Sequence, residues 1–202
     1  MELPQTDYAL AVLSIRAPIA LPFNLGYSWY HALDDEGNLL PAHAESELRL
    51  QSLQELLMEW KNLLVLLQMR YGWPSSRIFL MGFGQGGDVA LHIASLSQNR
   101  FGGVVCIEGS LLRQPANTLK LGTPVLLLHR TNNYLVNDEM WKKCKTWCKK
   151  CFISTESKEF NTIQPINLSS KDQMTPIMEF LANHLYLRNF ALEQHQDIIQ
   201  IH

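Results

Sequence analysis

Leu80-Met81-Gly82-Phe83-Gly84-Gln85-Gly86-Gly87 is the stretch on which the fold turns. An apolar run over residues 77–82 leads into it, and a helical pattern from Gly84 to about Ser97 follows. The order is strand, tight turn, helix. In the pattern Gly-x-Ser-x-Gly, such a turn lifts a serine above the end of a sheet on strained backbone. Here the middle position is Gly84, which has no side chain and cannot form an acyl-enzyme. Gly82, Gly86 and Gly87 are all in place, so the sequence predicts the geometry of a nucleophile turn without its nucleophile.

Outward from that turn, residues 101–108 and 123–129 are continuous apolar runs of strand length. Helices are expected from about Asp138 to Cys151 and from about Ser170 to Tyr186, with a short strand within 152–160 between them. Upstream, residues 45–71 form the clearest helix, with Leu50, Leu53, Leu57, Trp60, Leu64 and Leu67 recurring at steps of three and four. Gly72-Trp73-Pro74 stops it. Residues 8–16, Tyr-Ala-Leu-Ala-Val-Leu-Ser-Ile-Arg, read as a buried strand ended by Ala17-Pro18, and residues 19–44 as irregular loop. Apolar strands alternating with helices give an α/β class, a doubly wound, mostly parallel sheet with helices on both faces. Residues 1–188 are expected to form a single domain, and 189–202 a C-terminal tail.

The 202 residues suit one domain with a sizeable core, at 47% hydrophobic and 18% charged residues. A net charge of −2 gives no basic field for nucleic acid. Glu59, Lys61 and Asn62 interrupt the longest apolar helical run, which argues against a membrane span. Met1 to Asp7 lack a basic segment leading into an apolar stretch, so no signal peptide is expected. Four cysteines, three of them clustered, do not form a secreted disulfide framework, so a reducing, cytoplasmic compartment is expected.

Several phrases in order resemble the phospholipase/carboxylesterase family of the α/β-hydrolases, which includes the acyl-protein thioesterases. Ala17-Pro18 followed by Gly26-Tyr27-Ser28-Trp29-Tyr30 is similar to that family's Ala-Pro…Gly-x-Ser-Trp-Phe loop. Pro74-Ser75-Ser76-Arg77-Ile78, then Gly82-Phe83-Gly84-Gln85-Gly86-Gly87, resembles its Pro-x-x-Arg-Ile…Gly-Phe-Ser-Gln-Gly-Gly. Phe101-Gly102-Gly103-Val104 and Pro124 to His129 fall where its next two strands belong. The resemblance covers roughly residues 8–185 and implies an α/β-hydrolase fold and ester or thioester hydrolysis.

The departures bear on chemistry. The resemblance places the family serine on Gly84, the family acid on Asn133 and the family histidine on Leu168. An amide cannot carry the charge that orients a histidinium, and removing one member of such a triad ordinarily costs orders of magnitude in rate. The family's first strand ends in His-Gly-x-Gly-Asp and supplies half of the oxyanion hole, and nothing in residues 1–16 matches it. The Gln85 backbone N–H remains as one donor. That family strand lies between the counterparts of 8–16 and 77–82. Either those two close up on each other, or a protein partner or second copy fills the gap, or the strand belongs to the protein outside these 202 residues.

Other residues near the turn read as structural. Cys106, between Val105 and Ile107, reads as a buried, inert thiol. Ser28 and Ser110 have no base beside them in sequence. His129, at a strand end, is expected to hydrogen-bond backbone. Glu108 is expected to pair with Arg130 or cap a helix, with general-base chemistry as the alternative. Asp88 is explained by the helix dipole. Cys144, Cys148 and Cys151 have the spacing of an iron–sulfur motif, but steps of four and three put them on one helical stripe as core residues. Lys142, Lys143, Lys145, Lys149 and Lys150 form a basic face. No metal or cofactor is expected.

The expected function is therefore a non-catalytic relative of these hydrolases acting as a binding, scaffold or complex subunit. Its remaining cleft, near Gly84, Gln85, Glu108, His129 and Trp29, is a candidate holder of an acyl chain or small ester. The alternative is an active ester or thioester hydrolase with an unrecognised site or one completed by another chain.

Overall fold

The computed structural model describes residues 11–34, 36–38, 40, 46–116, 119–133 and 135–186. Four parallel strands form the sheet: β3 (Phe79–Phe83), β4 (Gly103–Ile107), β5 (Val125–Arg130) and β6 (Thr155–Phe160), in that spatial order. Ahead of them, β1 (Ile19–Ala20) and β2 (Tyr27–Ser28) make a small antiparallel hairpin inside the segment read as loop. Among the described residues the α-helices are α1 (Glu47–Tyr71), α2 (Gln85–Leu96), α3 (Asp138–Cys151) and α4 (Lys171–Tyr186).

Three helix ends have a local cause. Ser46 accepts from the Arg49 N–H at the start of α1, and Gly72 closes it at φ +68. Asn137 accepts from the Met140 N–H at the start of α3. Central strands β4 and β5 are buried along their whole length, as strands covered on both faces must be. On one face Leu80, Val104, Cys106, Val125 and Leu127 pack under α1, α2 and α3. On the other, Val105, Ile107, Leu126 and Leu128 pack under Ile177 and Phe180 of α4. The sheet is thus doubly wound.

Two expectations at the chain ends are affected. Ala11–Arg16 is not a strand: it has no ladder partner among the described residues, and Val12 and Leu13 are 86% and 62% exposed. An apolar run is strand-competent, but strand formation needs a neighbouring ladder. Residues 8–10 and the tail at 189–202 lie outside the described residues. Among the described residues no helix is long and apolar enough to cross a membrane.

Candidate functional site

The turn between β3 and α2 has the shape its glycines require. Gly84 sits at φ +52, ψ −123, backbone that an L side chain adopts only under strain. A Cβ placed there meets nothing within 4 Å, so the space above the turn is open. At Gly82 the reverse holds. A Cβ there would lie 2.1 Å from the Gly86 carbonyl carbon and oxygen, because α2 crosses directly over the end of β3. Donation from the Gly84 N–H to the Ile107 carbonyl (2.8 Å) fixes the turn against β4.

Around it runs a brace of side chains that share one purpose. Gln85 Oε1 accepts from the Trp29 N–H at 2.9 Å and from Ser28 Oγ at 2.8 Å. Ser28 Oγ also lies 2.5 Å from the Tyr30 carbonyl, so its one proton is divided between two acceptors. The Tyr30 hydroxyl donates to Asp88 Oδ2 at 2.5 Å, and Asp88 Oδ1 accepts from the Ser110 N–H at 2.6 Å. Burial lifts the Asp88 carboxyl to about 6 against the lowering pull of these donors and of Arg49. Burial, with the neighbouring Asp88, also holds the Tyr30 phenol well above its usual range. On α2, His92 accepts from the Leu112 N–H at 3.0 Å, and burial depresses its ring to about 4. The dipole explanation of Asp88 is therefore incomplete. The carboxylate ties the loop of residues 28–30 to the segment after β4. Nothing local in the sequence marks Tyr30 as its partner.

The remaining candidates are distributed as follows. Asn133 is buried, and its Oδ1 accepts from the N–H groups of Leu135 and Val136, which spends the amide on a turn. Leu168, 38% exposed, lies in the turn before α4. Glu108, at φ +55, pairs with Arg130 Nε at 3.1 Å while its Oε1 accepts from the Ile166 N–H at 2.7 Å. Arg130 also donates to the Ile163 carbonyl. The two charges strap the loop bearing Leu168 onto the sheet. His129 is 1% exposed and stacks on Trp141, with ring centroids 4.5 Å apart at 18°. Neither ring nitrogen has a hydrogen-bond partner, so the expected backbone bond is absent and stacking replaces it. Desolvation keeps its pKa below the usual histidine value despite Glu159, Glu108 and Asp138 nearby. Cys106 is buried with its thiol pushed up by desolvation. Ser110 is buried as well.

On α3, Cys144, Cys148 and Cys151 are buried, with the first two sulfurs 4.0 Å apart. Among the described residues no three His, Cys, Asp or Glu side chains are placed to hold a metal ion. Within the basic face, Lys143 pairs with Glu139 and Lys145 with Glu159. Trp29 also walls a cleft of about 190 Å³, lined by Ile15, Pro18, Leu56, Trp60 and Leu63, with Arg16 and Glu59.

A family model described as phospholipase/carboxylesterase matches residues 16–185. An uncharacterized hydrolase of Mycosarcoma maydis is 33% identical over 135 residues, covering 64% of this chain and 47% of that protein. Acyl-protein thioesterase 1 of Debaryomyces hansenii is 27% identical over 114 residues, covering 54% and 48%. The chain thus spans about half the length of these two relatives. Among solved structures, that of esterase PE8 superposes with a TM-score of 0.64 at 18% identity, over 84% of this chain and 76% of that one. The likeness places the sheet and helices in the α/β-hydrolase fold.

Proposed function

For a chain that belongs to the phospholipase/carboxylesterase family of ester and thioester hydrolases, we propose a role in binding without hydrolysis. The observation that carries this is the turn at Gly84: its strained backbone is kept, and no atom stands on it that can attack a carbonyl. The two positions where the family resemblance puts acid and base support the same reading. Asn133 spends its amide on a turn, and Leu168 has no titratable group. Among the described residues no base is bonded to Ser28, Ser110 or Cys106: each is buried, two make bonds within the brace, and desolvation holds the thiol protonated.

In this role the protein is a cytoplasmic scaffold or complex subunit. The apolar cleft beside Trp29 is a holder for an acyl chain or small ester that is not cleaved, and the role includes a protein partner. The test is exposure to a fluorophosphonate probe together with a panel of p-nitrophenyl esters and an acyl thioester. No labelling and no turnover are expected. Saturable turnover that disappears in Glu108→Gln or Cys106→Ala would overturn the reading in favour of an active hydrolase with an unrecognised site.

A further inference from the structure

The basic face of α3 is no part of the cleft or the brace, and its far end continues onto two neighbouring segments. In a parallel sheet each crossover helix runs back against its strands. α2 and α3 therefore end on the rim from which the strands start, opposite the turn at Gly84. Three lead-in segments are laced together on that rim. Ahead of β4, the Phe101 N–H donates to Thr123 Oγ1 at 2.9 Å. Ahead of β5 and β6, the Leu121 N–H donates to the Cys151 carbonyl at 2.7 Å and the Ile153 N–H to the Leu121 carbonyl at 2.9 Å. The Arg100 side chain lies against Gly122, where an added Cβ would sit 3.6 Å from its Cδ. Arg100, Lys120, Lys149 and Lys150 thus share one end of the molecule.

That end is unbalanced in charge and in polarity. Residues 89–107, 109–137 and 140–155 contain no aspartate or glutamate. A chain of net charge −2 therefore concentrates positive charge here. Among the described residues none of the four cations has an acidic partner, in contrast to Lys143 and Lys145. Beside them stand Leu119 and Ile153, 81% and 69% exposed. The dipole of α3 explains lysines in its last turn. It does not explain Arg100, Lys120 or two aliphatic side chains held in water.

The aliphatic side chains decide between the anionic surfaces that could sit here. A nucleic acid or acidic polymer would engage the cations and leave Leu119 and Ile153 wet. A bilayer with anionic headgroups uses both sets: the aliphatic groups enter the acyl boundary while the cations stay at phosphate level. We infer that this rim is a docking surface for an anionic membrane, with Leu119 and Ile153 inserted and Arg100, Lys120, Lys149 and Lys150 on the headgroups. The docking goes beyond the binding role of the cleft. It stands whether or not an ester is hydrolysed, because the turn at Gly84 is at the other end of the sheet.

The test is flotation of the 202-residue chain with phosphatidylcholine vesicles, with and without about one-third phosphatidylserine. Binding is expected only to the anionic vesicles, and is expected to weaken as salt is raised. Lys149→Gln/Lys150→Gln should weaken it about 25-fold, at about fivefold per cation. Lys61→Gln/Lys171→Gln removes the same charge from exposed positions on α1 and α4 and should leave binding unchanged. Leu119→Asn/Ile153→Asn should weaken it about tenfold or more. The four natural cysteines are buried, so Leu119→Cys can carry an environment-sensitive dye. Its emission should shift to the blue on anionic vesicles and not on heparin.

Circular dichroism of each variant confirms that the fold is kept. Absence of binding to the anionic vesicles overturns the inference. So does equal weakening by the control pair, which would make the effect one of net charge. Binding indifferent to residues 119 and 153, or a dye shift with heparin, overturns it in favour of an acidic polymer. Ester turnover on the same samples reports the role of the cleft separately, and neither result there changes the vesicle outcome.

Discussion

At Gly84 two costs are set against each other in any attempt to restore a hydroxyl. The open space means that Gly84→Ser meets no clash, while its φ of +52 imposes backbone strain of about 1–3 kcal/mol. The expected outcome is a loss of stability in that range by urea denaturation, with no gain in ester turnover. Gly82→Ala should cost at least about 3 kcal/mol, since its Cβ meets backbone that cannot move without lifting α2 off β3. Two buried titratable groups on α2 act in opposition. Asp88 has its pKa raised to about 6, so the folded chain holds a proton that the unfolded chain has lost, and its contribution falls as pH rises from about 4 to 6. His92 has its pKa lowered to about 4, so the unfolded chain binds the extra proton, and its contribution grows from pH 4 to about 6.5. Each slope is at most about 1.4 kcal/mol per pH unit, and they largely cancel. Urea midpoints between pH 4 and 7 should therefore show, relative to wild type, a rise with pH in Asp88→Asn and a fall in His92→Gln.

Among the elements, the segment joining β6 to α4 has few apolar anchors of its own, Ile166 being the buried one. Its position depends on Glu108 at the end of β4 and Arg130 at the end of β5. Arg130→Met leaves a buried carboxylate whose remaining described partner is the Ile166 N–H. The expected loss is about 3 kcal/mol, with much of it recovered in the double variant Glu108→Gln/Arg130→Met. A surface pair would lose far less. Guanidinium denaturation of the two variants distinguishes these cases. The buried Cys144, Cys148 and Cys151 stripe anchors α3 in the same way that Leu53 and its apolar neighbours anchor α1. There the spacing that resembles a cluster motif is the periodicity of a helix face.

For the whole molecule, the parallel sheet and its helices were legible because each rests on a local pattern. Apolar runs mark β3, β4 and β5, a repeat of three and four marks α1, and glycines mark the turn at 82–87. The segment at 11–16 was misread because its apolar run lacks a described ladder neighbour, a non-local condition. The brace at the turn was invisible for the same reason. Tyr30 and Asp88 are 58 positions apart, so no spacing rule joins them, whereas the pairing of Glu108 with Arg130, 22 apart, was among the expectations and is present. His129 was legible as a structural residue at a strand end, but not as stacked, since its partner lies on α3. The charged border of the sheet has a final consequence: with Glu156, Lys158 and Glu159 exposed along it, β6 is a poor template for the addition of a further strand.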